Sequence, residues 1–316
     1  MPPHRRHGCC HHARATAPAV AMSSHSLYEQ SRPVKLSCAD FTFPLLPHGD
    51  VLALIGLLGL NGVDLGVFKG RSHWPPEKIL ADIPAAMRSI KSSLDRRGLA
   101  VADVFLQTGE DPAVHAANDP DADIRAANRE MFRGIVEFAV GIGAAHLTGL
   151  PGVWHRGTEK AADWQLAVSE AAWRKSHAAQ NGIRFAVEAH VGSVCPDPES
   201  ALRFVQEAGV TLTLDYGHFV YQGMPPQAAD ILIPQASHFH ARGGAKGQLQ
   251  STMKDSVIDF RAIRDALQQR GYPGWMCLEY VWIDWEGCNR TDNVSETIIL
   301  RDLLLGAGSS PAVQAA

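Results

Sequence analysis

Four residues in the second half of the chain have types and settings suited to chemistry: Glu188, Asp215, His240 and Glu279. They occur in "FAVEAH", "LTLDYGH", "HFHARG" and "MCLEYV", and each follows a large apolar residue, Val187, Leu214, Phe239 or Leu278. Strand side chains alternate between faces, so if these runs are strands the apolar neighbours share one face and the four polar groups the other. Adjacent strands lie about 4.8 Å apart, which lets four such groups on consecutive strands converge on one point. Three carboxylates gathered in a half-buried place repel one another and raise one another's pKa unless a cation compensates them. A divalent metal does this. Three oxygen donors and one imidazole suit Mn²⁺, Mg²⁺ or Co²⁺ better than a sulfur-rich site would, with Zn²⁺ staying open. Any one of the four alone reads more readily as a helix cap, a surface group or a satisfied core histidine than as a ligand; four in one register are hard to produce by accident.

The same alternation turns Ala186, Thr213, His238 and Cys277 inward one layer below, and their mostly small size predicts room beneath the four groups. Around the proposed ligands stand weaker candidates. His190, two residues past Glu188, has the parity to face the same point; an ordinary imidazole titrates near neutrality, which suits a base or acid beside the metal, and the position suits equally a residue that orients a ligand or a loop histidine. Arg242 shares the parity of His240 and would either hold a sugar oxygen or pair with a site carboxylate. His218 follows Gly217 just past a strand end, where it would contact substrate or lie on the surface. Trp282, with Trp285 in "YVWIDWEGCNRTDN", is either a sugar platform or loop packing. Lys69, Arg71 and His73 in "VFKGRSHW" are remoter candidates, and Gln107 and His146 either line the pocket or fill the core.

The elements needed to position these groups recur regularly. Strand-like runs fall at 34–41, 62–68, 100–107, 144–150, 184–190, 211–218, 237–242 and 275–282. Helical spacing fills 50–60, 76–97, 123–141, 159–180, 198–208, 226–235, 259–270 and 294–305. Strict alternation implies a parallel sheet with right-handed crossovers, and eight units match an α/β fold of the (β/α)8 TIM barrel type. An open doubly wound sheet would normally carry a glycine-rich loop after an early strand, and "LSCADFTFPLLPHGD" has none. In such a barrel the active site lies at the carboxyl ends of the strands, where all four residues fall.

Composition narrows the partners. The chain has 316 residues, 46% hydrophobic and 20% charged, with a net charge of −4. No basic block or apolar run suggests nucleic acid or a membrane, so a small-molecule partner is expected. Six cysteines, at 9, 10, 38, 195, 277 and 288, lack disulfide or zinc-site spacing, which suits a reducing cytoplasmic setting. Residues 1–32 hold five of the fifteen histidines and no continuous apolar stretch. They read as a disordered tail in which Met22, rather than Met1, is the expected start and Cys9-Cys10-His11-His12 an incidental cluster. Residues 33–307 are expected to form one barrel domain and 308–316 a flexible tail.

With these residues in place a resemblance can be stated. The order Glu, Asp, His, Glu at the ends of strands five to eight, with "LDYGH" and "HFHARG" in the middle, resembles the xylose-isomerase-like TIM barrel superfamily of sugar isomerases and epimerases over about residues 34–306. The resemblance implies a divalent cofactor, usually Mn²⁺, on Glu188, Asp215, His240 and Glu279. The words "VEAHVGS", "TLDYGHFVYQG" and "LEYVWIDWEGCN" are also similar to the metal-bearing subunits of C-glycoside deglycosidases, which act on 3-oxo-glycosides.

The expected function is therefore a metal-dependent sugar isomerase or epimerase working through a metal-stabilised enediolate, with Glu188, Glu279 and His190 as proton carriers. The alternative is a deglycosidase subunit that expels the glycosidic group by β-elimination. A non-catalytic sugar-binding barrel that needs a smaller partner subunit is the alternative of another class, and a homo-oligomer stays open. An endonuclease-four-type DNA enzyme would need further ligands, with His73 and His115 available, and a basic face that the charge balance does not supply.

Overall fold

A computed structural model describes Met1 and residues 34–306. The expected tails, Met22 and the Cys9-Cys10-His11-His12 cluster lie outside these residues, apart from Met1 itself.

Eight parallel strands close on themselves in chain order: β1 (Lys35–Ala39), β2 (Gly62–Phe68), β3 (Ala100–Gln107), β4 (His146–Gly149), β5 (Arg184–Glu188), β6 (Thr211–Asp215), β7 (Ala236–Ala241) and β8 (Trp275–Leu278). β1 pairs with β8, so no edge remains. The helices are α1 (His48–Leu57), α2 (Pro76–Ala81), α3 (Ile83–Asp95), α4 (Ala122–Gly141), α5 (Lys160–Gln180), α6 (Pro198–Ala208), α7 (Gly217–Tyr221), α8 (Phe260–Gln269) and α9 (Asn293–Leu304). The expected (β/α)8 barrel is the observed fold.

Local sequence explains the boundaries. Asp197 caps α6 through Ser200 in a reciprocal capping box, Pro198 opens the helix, and Gly209 leaves it at φ 66°. The single helix expected over 76–97 is two. Asp82 (φ −158°, ψ 84°) interrupts it and accepts the Ala85 N–H at 2.9 Å, because Pro84 cannot continue an existing helix and is tolerated only in a first turn. The segment Pro226–Gln235 is a 3-10 helix containing Pro234. Several strands end sooner than their apolar patterns suggested; β6 stops at Asp215 and the chain turns into α7.

Val187, Leu212, Leu214, Phe239 and Leu278 pack with helix residues in the main apolar core, as alternation requires. The barrel interior departs from the expectation of open room. Below the four candidate ligands lies a buried polar layer contributed by β1 to β4, β6 and β7. Ser37 Oγ donates to Asp64 Oδ1 at 2.7 Å, and His238 Nε2 lies 2.5 Å from Asp64 Oδ2. His146 joins Asp103 at 2.7 Å to Ser237 at 2.8 Å, and Thr148 meets Thr213 at 2.6 Å. Two register shifts help to build it, at Val63/Asp64 between β2 and β3 and at Leu212/Thr213 between β6 and β7. Such irregularities re-aim side chains; here Ser237, which strict alternation would send outward, reaches Thr211 at 2.7 Å.

Candidate metal and catalytic site

Glu188 ends β5, Asp215 ends β6, His240 lies in β7, and Glu279 is the first residue beyond β8, its N–H still held by Ala241 O at 3.0 Å. All four are buried. His240 Nδ1 lies 2.5 Å from Glu188 Oε1 and 3.2 Å from Glu279 Oε1. Asp215 reaches the same group through Arg242, whose Nη2 donates to Asp215 Oδ2 at 2.7 Å while Nη1 stands 3.8 Å from Glu279 Oε2. Ligand-capable atoms of Glu188, His240 and Glu279 lie within 4.8 Å of one another, as do those of Glu188, Asp215 and His218.

The charges are strongly coupled. Burial works against ionisation everywhere here, but the His240 ring outweighs it at Glu188, whose carboxyl is pulled down to about 2. At Glu279 burial prevails, reinforced by Glu188 and Asp215 against His240 and Arg242, and its carboxyl is pushed up to about 8. His240, although buried, is held well above its usual value by Glu279 and Glu188. Glu279 Oε2 is buried with no hydrogen-bond partner, an arrangement that is costly unless something positive meets it. The donor set of Glu188, Asp215, His240 and Glu279 fits a divalent cation on both counts: it offers an orphaned carboxylate oxygen, and its carboxylates surround a ring that a metal needs neutral.

Two functional neighbours were not singled out from sequence. Asp64 and Asp103 sit under the site, and His240 Nε2 points down to Asp64 Oδ2 at 3.7 Å. Asp64, Asp103, His238 and His240 also bring ligand-capable atoms within 4.8 Å, but Asp64 is already engaged by Ser37 and His238, and Asp103 by His146. The available signal was a lone carboxylate inside each of two otherwise apolar strands, "GVDLGVF" and "AVADVFLQ", since a buried charge requires a partner. His146 belongs to this layer; Gln107 lines the pocket above, accepting from Arg71 at 2.5 Å.

Above the carboxylates opens a cavity of about 420 Å³, within the roughly 300–1,000 Å³ usual for small-molecule sites. Glu188, His190, His218, Arg242, Glu279 and Trp282 all line it. His190 Nδ1 lies 2.9 Å from the Val191 carbonyl and so carries the proton there, which leaves Nε2 an acceptor, buried and without a hydrogen-bond partner. Burial lowers its pKa, keeping the ring neutral. His218 is buried rather than on the surface. Its Nδ1 accepts the Val191 N–H at 3.2 Å, so its proton sits on Nε2, 3.6 Å from Asp215 and 3.8 Å from Glu188. Both carboxylate spacings exceed a hydrogen bond, and Arg242 Nη2 stands 3.4 Å from the same nitrogen, so His218 borders the ligand carboxylates without bonding to them. Arg242 has its salt bridge to Asp215, while its Nε is unpartnered. Trp282 is 40% exposed, which makes it a rim residue and not loop packing. Arg71 borders the cavity, whereas Lys69, His73 and His115 are absent from its lining and from the ligand clusters among the described residues.

Much of the remaining wall is apolar. Phe41, Phe68 and Phe105 meet edge to face, with ring centroids 4.8 to 6.3 Å apart, and Leu150, Val281 and Trp285 extend that surface. No described helix is long and apolar enough to cross a membrane.

Residues 52–301 match the family model described as xylose isomerase-like TIM barrel. No curated protein matches the chain in sequence. Among solved structures, the chain is similar to a D-psicose 3-epimerase crystallised in the presence of D-fructose (TM-score 0.68, 15% identity, 86% of this chain and 99% of that one). It is also similar to a xylose isomerase-like TIM barrel protein from Mycobacterium smegmatis in complex with magnesium (TM-score 0.64, 15% identity, 88% and 98%). A third similar structure is a probable 3-DHS dehydratase from Bacillus anthracis (TM-score 0.64, 14% identity, 85% and 98%). At these identities the likeness bears on the fold alone.

Proposed function

The chain belongs to the xylose isomerase-like TIM barrel family, and on that premise we propose a divalent-metal-dependent enzyme that moves a proton beside the carbonyl of a sugar or oxo-sugar, as an isomerase or epimerase. The observation that carries this reading is a pair of ligand-capable groups that share Glu188, one with His240 and Glu279 and one with Asp215 and His218, at the floor of a cavity that His190, its Nε2 without a hydrogen-bond partner, also lines. Glu188, Asp215, His240 and Glu279 would hold the cation, Mn²⁺ being the first choice, and the cation would supply Lewis-acid polarisation of the carbonyl.

The chain's own groups do the rest. His190 Nε2 takes the proton from the carbon next to the carbonyl, leaving the electron pair as an enediolate. The proton is returned to the neighbouring carbon in an isomerisation, or to the opposite face of the same carbon in an epimerisation. Glu188, at the end of β5, and Glu279, just beyond β8, serve as further proton carriers as well as ligands. Arg242 and His218 donate to substrate oxygens, and Trp282 offers a ring face at the rim.

A second reading draws support from the phenylalanine wall, which is more apolar than a free sugar requires. A 3-oxo-glycoside would set its sugar over the carboxylates and an apolar aglycone against Phe41, Phe68 and Phe105. Removal of the C2 proton then forms a C1–C2 double bond, and the aglycone leaves with the C1 bonding pair and takes up a proton. The dehydratase among the similar structures is named for an elimination, which agrees with such chemistry on this fold.

The test is incubation of manganese-loaded protein in D₂O with a panel of ketoses, cyclitol ketones and 3-oxo-glycosides. Solvent deuterium in a rearranged sugar supports isomerisation or epimerisation; released aglycone supports elimination. No product across the panel would leave a non-catalytic sugar-binding barrel dependent on a smaller partner subunit. Elemental analysis should find about one divalent ion per chain, lost in Asp215→Ala; equal metal in both proteins would remove the proposed ligand set.

A further inference from the structure

The two ligand-capable groups that share Glu188 leave open whether the centre holds one ion or two. A carboxylate has two oxygens, and one that is common to two groups is placed to bridge a pair of metal ions. Arg242, just beyond β7 and 4% exposed, separates the two cases. Its Nη2 donates to Asp215 Oδ2 at 2.7 Å and stands 3.4 Å from His218 Nε2, and those two atoms are themselves 3.6 Å apart. A positive charge therefore already sits at the second group. On its other side Nη1 stands 3.8 Å from Glu279 Oε2, so one guanidinium faces both groups. The pair with Asp215 is held from α7 as well. Gly217 N–H donates to Asp215 Oδ1 at 2.7 Å, and a Cβ on Gly217 would come within 2.9 Å of that oxygen and 3.6 Å of Arg242 Nε.

The balance of charge points the same way. Glu188, Asp215 and Glu279 bring three negative charges when all are ionised, and a metal-bound His240 is neutral. One divalent ion and one guanidinium bring three positive charges, and an arginine does not lose its proton in a protein. A second divalent ion would leave two positive charges unanswered among buried groups, which is costly. We propose that Arg242 is a built-in cation that takes the place of a second metal ion and so fixes the centre at one divalent ion per chain. The proposal rests on the metal-dependent reading above and adds to it the reason why Asp215 and Glu188 do not recruit an ion of their own.

The test is metal stoichiometry and magnetic coupling in the full chain, neither of which needs a substrate. Dialysed against increasing manganese chloride, the wild type saturates at one ion per chain, with the electron paramagnetic resonance spectrum of isolated Mn²⁺. Arg242→Ser removes the cation and opens its space. It takes up a second ion on Asp215 and Glu188, with water completing the shell, which doubles the bound manganese and gives a spin-coupled spectrum. Arg242→Lys keeps a charge and stays at one. Two ions in the wild type, one ion in a folded Arg242→Ser, or equal uptake by Arg242→Lys would each overturn the proposal and leave the metal-dependent reading standing. A wild type that binds no metal removes that reading and the proposal with it. If Arg242→Ser does not fold, wild-type crystals soaked in manganese chloride decide the matter. A single anomalous peak with the Arg242 to Asp215 pair intact supports the proposal; two peaks, or a displaced guanidinium, overturn it.

Discussion

His240 Nε2 stands 3.7 Å above Asp64 Oδ2, while Nδ1 of the same ring faces Glu188 at 2.5 Å. The upper nitrogen is thus turned to the carboxylates that would share a metal, and the lower one to a buried anion that favours the Nε2–H tautomer. A histidine ligand oriented through its second nitrogen binds more tightly than a free one.

Asp64→Asn preserves size while removing that charge. The expected result is a loss of about 10- to 100-fold in divalent-metal affinity, measured by metal titration, with the circular dichroism spectrum retained. Unchanged affinity would reduce Asp64 to a partner of Ser37 and His238 in the barrel core.

His190→Gln keeps a polar side chain but has no titratable lone pair. On whichever panel substrate the wild type turns over, kcat is expected to fall about 10²- to 10⁴-fold, with the metal content unchanged. Loss of metal along with activity would show that His190 acts through the ligand set rather than on substrate.

The buried ring of His218 links stability to pH. Burial, opposed by Asp215 and Glu188, lowers its pKa from 6.5 to about 4. Between these values the unfolded chain binds the proton and the folded chain does not, so stability contributed by the neutral ring is present above pH 6.5 and is lost as the pH falls to 4. The loss amounts to about 3 kcal/mol. Urea unfolding from pH 7 to pH 4 should therefore show a shallower decline in His218→Gln than in the wild type, and parallel curves would clear His218 of the effect.

The common inward face of Glu188, Asp215, His240 and Glu279 was legible in the sequence. Glu188, Asp215, His240 and Glu279 each follow an apolar residue that packs outward, and this local pattern placed them on one face before any contact was known. His218 and Arg242 were less legible. Burial of the first and pairing of the second with Asp215 depend on where α7 and the end of β7 come to lie, which alternation does not encode. The helix expected over 76–97 is broken at Asp82, because apolar spacing runs through the break while Pro84 ends the hydrogen-bonded ladder.

The number of strands and the inward or outward sense of most of their side chains were set by short-range rules: period-two alternation, capping residues and helix breakers, with Ser237 turned inward against them. What lies across the barrel was not. Asp64 meets His238 from 174 positions away, and Asp103 meets His146 only because β3 and β4 are neighbours in a closed sheet with shifted registers next to them. Closure brings together side chains that share no local pattern, so the polar floor beneath the ligands, the tautomers of His190 and His218, and the phenylalanine wall of the cavity were decided by tertiary structure alone.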